Sequence, residues 1–107
     1  MYCFNKDAVM TDLGNGVKRK ILAQDKDMMA VEVHFEKGAV GAVHTHPHVQ
    51  ISYVLSGKFE ANMNGDKRII EEGDTYYTVP NLPHGVVCLE DGVLLDIFTP
   101  RRDDFLS

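Results

Sequence analysis

Apolar and polar residues alternate along most of this sequence, and turn signals interrupt the alternation at short intervals. In the stretch VEVHFE, residues 31–36, apolar side chains occupy every second position, which is the pattern of a half-buried strand. A chain with this period and no helical repeat is predicted to be all-β, a sandwich or small barrel of eight or nine short strands. The predicted strands lie at about 17–22, 31–36, 49–56, 58–63, 67–71, 75–79, 85–90 and 92–99.

The turn signals between these runs predict where the strands end. Asn64-Gly65 is the strongest, because both central residues of a type I′ hairpin turn need a positive φ. Ser56-Gly57 and Asp91-Gly92 predict two further breaks. A barrel closed in this way keeps a mouth that can hold one ligand.

Length and charge limit the classes of function. The 107 residues predict one domain, residues 1–107. A net charge of −5 argues against nucleic acid and anionic membrane as partners, and no apolar run approaches the ~20 residues of a membrane-spanning helix. The start of the chain lacks a signal-peptide pattern, which predicts a cytoplasmic protein, and Cys3 and Cys88 are predicted to be reduced thiols.

A row of histidines carries the clearest chemical signal. In HTHPHVQ, residues 44–50, an extended strand would point His44, His46, His48 and Gln50 to one face. Neutral imidazoles suit divalent first-row metals, and an added oxygen donor leaves coordination positions open. A lone histidine is more often a surface or hydrogen-bonded core residue, but this clustering favours a metal site. His48 can equally line the pocket or lie on the surface.

The spacing around this row resembles the two motifs of the cupin superfamily. One block spans residues 38–57, and a second spans 73–88 and contains His84. The resemblance implies a single cupin domain, a double-stranded β-helix or jelly-roll barrel, with His44, His46 and His84 as metal ligands. Gln50 stands where cupins usually have Glu, so the centre would keep one more positive charge and favour an anionic substrate.

Near the C-terminus, VLLDIFTP places Asp96 inside an otherwise apolar strand, on the same face as Phe98. A carboxyl group there must be hydrogen-bonded or paired, or its pKa rises, and either state suits proton transfer. The alternative is a buried aspartate that fixes local backbone. Arg101 and Arg102 can bind a substrate carboxylate in bidentate fashion, or they can simply be solvated.

A closer resemblance covers about Asp12 to Leu106 and is carried by DLGNGVKRKILA, VEVHFEKGAVGAVHTHPHVQISYVLSGKFE and VPNLPHGVVCLEDGVLLDIFTPRRDDFL. These stretches are similar to the KdgF family, small cupins of uronate catabolism. The resemblance implies linearisation of 4,5-unsaturated monouronates from pectin or alginate to 5-keto-4-deoxyuronate. By position it implies one divalent transition metal ion (nickel, zinc, iron or copper) on His44, His46, Gln50 and His84, with Asp96, Phe98 and Arg102 as catalytic residues.

Other functions and partners stay open at this stage. A metal-dependent cupin dioxygenase and a non-catalytic cupin that binds sugar acids are the alternatives. The predicted partner is a small anionic sugar acid. A homodimer is also expected, because the N-terminal strands would otherwise leave exposed sheet edges.

Overall fold

The structure, a computed structural model, describes residues 1–106 and consists almost wholly of strands. The strands are β1 (Met10–Gly14), β2 (Val17–Gln24), β3 (Met29–Phe35), β4 (Val40–His44), β5 (Val49–Met63), β6 (Asp66–Glu71), β7 (Thr75–Thr78) and β8 (His84–Thr99). Two short 3₁₀ turns lie at Asn5–Asp7 and Asp103–Phe105. The all-β prediction is confirmed. No helix in residues 1–106 is long and apolar enough to cross a membrane.

All strand pairs are antiparallel, in the order β1-β2-β3-β8-β5-β6, with β4 also on β8 and β7 also on β5. The two long strands β5 and β8 hold the fold together. The first half of β8 pairs with β4, and its second half pairs with β3. Because β5 runs beside β8 over nearly its whole length, both strands contribute to both layers of the jelly roll.

Two predicted chain breaks are wrong for a common reason. Gly57 and Gly92 lie inside β5 and β8, not in turns. The strands approach so closely there that a Cβ at Gly57 would lie 2.5 Å from the Asp91 carbonyl oxygen. The Asn64-Gly65 turn is confirmed, with φ of 54° and 92°. Strands β1 and β4 were not predicted, because most of their residues are exposed and lack the alternation.

Two apolar clusters flank a buried polar layer. Phe35 and Phe59 pack edge to face, with ring centroids 5.3 Å apart, in the larger cluster. Met29, Val31 and Phe98 form the smaller one. Between them lie polar side chains that are at most 9% exposed: His46, Gln50, Ser52, Thr78, His84 and Asp96. Buried polar groups need partners, so this layer is where a functional site is expected.

Candidate functional site

Three histidines meet at one end of this polar layer. His44 ends β4 and pairs in register with His84 at the start of β8, while His46 lies in the loop between β4 and β5. One nitrogen from each lies within 4.8 Å of the others. The expected single strand from His44 to Gln50 is wrong, since residues 45–48 form a loop. That loop, together with the register between β4 and β8, brings the histidines together.

Backbone carbonyl groups fix the orientation of two of the imidazole rings. Nδ1 of His44 lies 2.9 Å from the Ala42 oxygen, and Nδ1 of His84 lies 2.8 Å from the Leu82 oxygen. A carbonyl can only accept, so each Nδ1 carries a proton, and in the neutral ring each Nε2 keeps its lone pair. Burial lowers the pKa of His84 and lowers that of His46 to about 4. Both rings are therefore neutral near pH 7, as metal ligands must be.

Gln50 completes the cluster with an oxygen. Its Oε1 lies 2.9 Å from Nε2 of His46 and 3.1 Å from Nε2 of His84. Oε1 and the His84 Nε2 are both acceptors, which repel one another unless a cation lies between them. Nδ1 of His46 is buried and has no hydrogen-bond partner within residues 1–106. This donor set of three imidazole nitrogens and an amide oxygen fits a divalent transition metal ion.

Ser52 determines which way the Gln50 amide faces. Ser52 donates to Oδ1 of Asp96 at 2.6 Å, and Gln50 Nε2 donates to Ser52 Oγ at 2.8 Å. The serine has a single proton, which the carboxylate takes, so its oxygen must accept from position 50. The amide NH₂ therefore points to Ser52 and the carbonyl oxygen points to the histidines.

Asp96 lies at the far end of this hydrogen-bond chain. Burial raises its pKa to about 6, while hydrogen bonds from Ser52 and Gln50 and the charge of Arg102 limit the rise. A carboxyl group that titrates so near neutrality can both take up and release a proton under working conditions. The Asp96 side chain lies on the same face of β8 as Phe98, opposite Leu95 and Ile97, which confirms the prediction.

A cavity of about 220 Å³ joins these groups to an aromatic and cationic end. Its lining includes His44, Gln50, His84, Asp96, Phe98, Arg102 and Phe105. The Phe98 ring packs edge to face on His46, with centroids 5.7 Å apart. The guanidinium of Arg102 lies 5.1 Å from the Phe98 centroid and is paired with Asp104 at 2.9 Å.

Arg101 and His48 lie next to the site but outside its cavity, with the His48 ring packed edge to face on His46 at 5.3 Å between centroids. Arg101 donates to Asp103 and Gln24 and does not line this cavity. His48 contacts the backbone oxygen of Arg101 at 3.2 Å and is not part of the three-histidine cluster. Of the two arginines, Arg102 is the one beside the candidate site.

Comparison with known proteins identifies the family. The sequence profile of the cupin domain matches residues 31–98. The pectin degradation protein KdgF of Dickeya dadantii (strain 3937) is 50% identical over 107 residues, which cover 98% of this chain and 97% of that protein. The chain belongs to the KdgF family of cupins.

Two solved cupin structures have the same fold over nearly the whole chain. KdgF from Halomonas sp. superposes with a TM-score of 0.93 at 42% identity and covers 98% of this chain and 97% of its own. An RmlC-like cupin from Shewanella frigidimarina NCIMB 400 gives a TM-score of 0.94 at 40% identity, covering 97% of this chain and 94% of its own. The jelly-roll prediction is confirmed.

Two residues of this cupin site were missed in the sequence. Ser52 lies on β5 between Gln50 and Val54, and all three side chains are buried. Arg19 lines the cavity from β2. Both are polar residues at inward positions of an alternating strand, and that parity is the signal that could have identified them.

Proposed function

We propose that this cupin is a metal-dependent enzyme that converts 4,5-unsaturated monouronates from pectin or alginate breakdown into open-chain 5-keto-4-deoxyuronate. The observation that carries the proposal is the cavity that His44, Gln50 and His84 of the candidate metal cluster share with Asp96 and Arg102. The 50% identical relative is named a pectin degradation protein, which supports a uronate as substrate.

The reaction is an isomerisation that moves one proton. The substrate is a cyclic hemiacetal whose ring oxygen O5 is attached to the C4–C5 double bond. Loss of the proton on O1 forms the C1–O1 carbonyl as the C1–O5 bond breaks, and O5 becomes an enolate oxygen. Protonation at C4 then gives the C5 ketone. No oxidant, reductant or water molecule is consumed.

Each side chain at the site has its own role in this reaction. Asp96 takes the O1 proton and returns a proton to C4, because its position and its raised pKa suit both steps. Arg102 binds the substrate carboxylate through Nη1, since its Nε and Nη2 donate to Asp104, and Phe98 forms an apolar wall against the sugar ring. His44, His46, Gln50 and His84 would hold a divalent transition metal ion, which supplies Lewis-acid stabilisation of negative charge on oxygen.

The test follows the ultraviolet absorbance of the conjugated enol acid. Metal-free protein and protein reconstituted with nickel, zinc, iron or copper are incubated with unsaturated galacturonate. Metal-dependent decay above the spontaneous rate is expected, at equal rates in air and under nitrogen. Decay that requires oxygen would indicate a dioxygenase instead, and binding without decay would indicate a sugar-acid-binding module.

A variant of the proposed acid/base residue sharpens the test. Asp96→Asn keeps an acceptor for the Ser52 hydroxyl but removes the titrating group, so we expect activity to fall by about 10²–10⁴-fold with the metal still bound. Asp91→Asn, at an exposed position of the same strand, is the matched control and should retain full activity. Full activity in Asp96→Asn would eliminate the assigned role.

A homodimer in the cytoplasm remains part of the proposal. Ile51, Tyr53 and Tyr77 are 44%, 40% and 58% exposed on adjacent strands of one sheet face. A second copy of the chain that packs on this face would cover these three exposed side chains.

A further inference from the structure

Strand β2 presents a cationic side chain to the interior of the barrel. Val17, Arg19 and Ile21 alternate with Lys18 and Lys20 along this strand. Val17 and Ile21 pack against the two apolar clusters, and Arg19 lies between them on the same face, where it lines the cavity. A charge at an inward position costs free energy unless its hydrogen-bond donors are used.

The Arg19 guanidinium is stacked, but its donors are unused. Within residues 1–106 it makes no hydrogen bond or ion pair, and its Cζ lies 4.0 Å from the centroid of the Phe105 ring. Arg102 lies 4.3 Å from the same centroid, but its Nε and Nη2 donate to Asp104 at 3.1 and 2.9 Å. Of the two cations on Phe105, Arg19 is the one whose fork of N–H groups is available.

Two cationic side chains lie together at this end of the cavity. The whole chain carries a net charge of −5, yet two guanidinium groups and, among residues 1–106, only one carboxyl group, that of Asp96, line one cavity of about 220 Å³. The Asp104 carboxylate is ion-paired with Arg102 at 2.9 Å and acts on Arg19 only through its charge, without a hydrogen bond. A partly buried guanidinium whose N–H donors are unused, in an acidic protein, indicates a site for an anion from outside the chain.

We propose that Arg19 is a second substrate-binding arginine, which donates to the carboxylate of a sugar acid in the cavity it shares with Arg102 and the metal cluster. The identity of the anion as a uronate rests on the proposed function. The planar guanidinium fork matches a carboxylate in bidentate geometry. The Phe105 ring holds the fork in place beforehand, which lowers the entropic cost of binding.

The experiment compares Arg19→Gln and Arg19→Lys with Lys18→Gln in the full chain. Lys18→Gln is the matched control, because it removes one positive charge from the adjacent position on the opposite face of β2. Calorimetry measures the binding of galacturonate, which has no double bond to react, and of neutral galactose. The same preparations give kcat and KM for unsaturated galacturonate, the affinity for the metal ion alone, and the urea unfolding midpoint.

We expect Arg19→Gln to weaken galacturonate binding and raise KM by about tenfold or more, with a smaller change in kcat. Galactose binding, metal affinity and the unfolding midpoint should stay within error, which a purely structural role for Arg19 would not allow. Arg19→Lys keeps the charge without the fork and should show an intermediate loss. It also serves as the second variant if Arg19→Gln does not fold.

The outcomes separate this proposal from the proposed reaction. Arg19-dependent binding of galacturonate, without turnover by the wild-type protein, would support Arg19 as an anion-binding residue and contradict the proposed reaction. Turnover with Arg19 variants within about twofold of Lys18→Gln in KM and galacturonate affinity would overturn the role of Arg19 alone. A wild-type protein that neither binds nor consumes the acid sugar would overturn both.

Discussion

Replacement of Ser52 by alanine tests the hydrogen-bond chain at the centre of the site. The Ser52 side chain is 1% exposed and links Gln50 to Asp96 through bonds of 2.8 and 2.6 Å. Removal of the hydroxyl leaves one amide N–H of Gln50 and one carboxyl oxygen of Asp96 without this partner. Because the cavity left behind is the size of a single oxygen atom, the loss of polar pairing dominates the effect.

The expected magnitude follows from these two groups. Each buried polar group that loses its partner costs about 1–3 kcal/mol, so the two groups together predict that Ser52→Ala lowers the free energy of unfolding by ~2–6 kcal/mol. The Gln50 NH₂ group then keeps only its hydrogen bond to Asp96, so the amide oxygen is held less firmly toward the histidines. Loss of a residue that orients a metal ligand typically weakens metal binding by about 10–100-fold.

Urea unfolding of the metal-free protein measures the first effect and calorimetric titration with a divalent ion measures the second. Ser56→Ala is the control, because it makes the same chemical change at an exposed position of β5 and should alter stability by less than about 0.5 kcal/mol. If Ser52→Ala matched Ser56→Ala in both stability and metal affinity, the hydroxyl would not hold the amide and the reasoning would be refuted.

Three further predictions concern pH, position 50 and assembly. The folded-state pKa of Asp96, about 6, lies above its ordinary 3.8, so the stability contributed by this residue falls as pH rises between those values. Over this pH range the unfolding free energy of the wild-type protein should therefore fall relative to that of Asp96→Asn. Parallel pH profiles for the two proteins would contradict this. Gln50→Glu should destabilise the metal-free protein by about 1–3 kcal/mol at about pH 8. The loss should be smaller at about pH 5, where a protonated carboxyl at position 50 can donate to Ser52. A loss of stability that does not depend on pH would argue against the role of Gln50 as a donor to Ser52. Light scattering should give a dimer that Tyr53→Lys with Tyr77→Lys converts to a folded monomer, and a wild-type monomer would rule the dimer out.

Much of the fold follows from the sequence because its signals are local. The two-residue period of VEVHFE and the Asn64-Gly65 turn depend on neighbouring residues alone. The turn predicted at Gly57 is wrong, because the sequence shows a flexible residue but does not show the second strand beside it. A glycine required for close approach between strands looks the same as a glycine in a turn.

The candidate site could be predicted in part for the same reason. The spacing of His44, His46 and Gln50 gives the candidate ligands, but the loop that interrupts the row depends on the register between β4 and β8. The link from Gln50 to Asp96 spans 46 residues of sequence and passes through Ser52, whose side chain alone carries no signal of function. Long-range hydrogen bonds of this kind appear only when the strands are paired.

Two separate physical reasons favour an amide over a carboxylate at position 50. The sequence supplies one, since a neutral oxygen ligand leaves a metal centre more positive for an anionic substrate. The structure supplies the other, since the single proton of Ser52 goes to Asp96, so the residue at position 50 has to donate to Ser52 while presenting an oxygen to the histidines. An ionised carboxylate cannot donate, and it would also add a second negative charge beside Asp96. One amide therefore couples the candidate metal ligands to the candidate acid/base residue, so that substitution of Gln50 is expected to affect both.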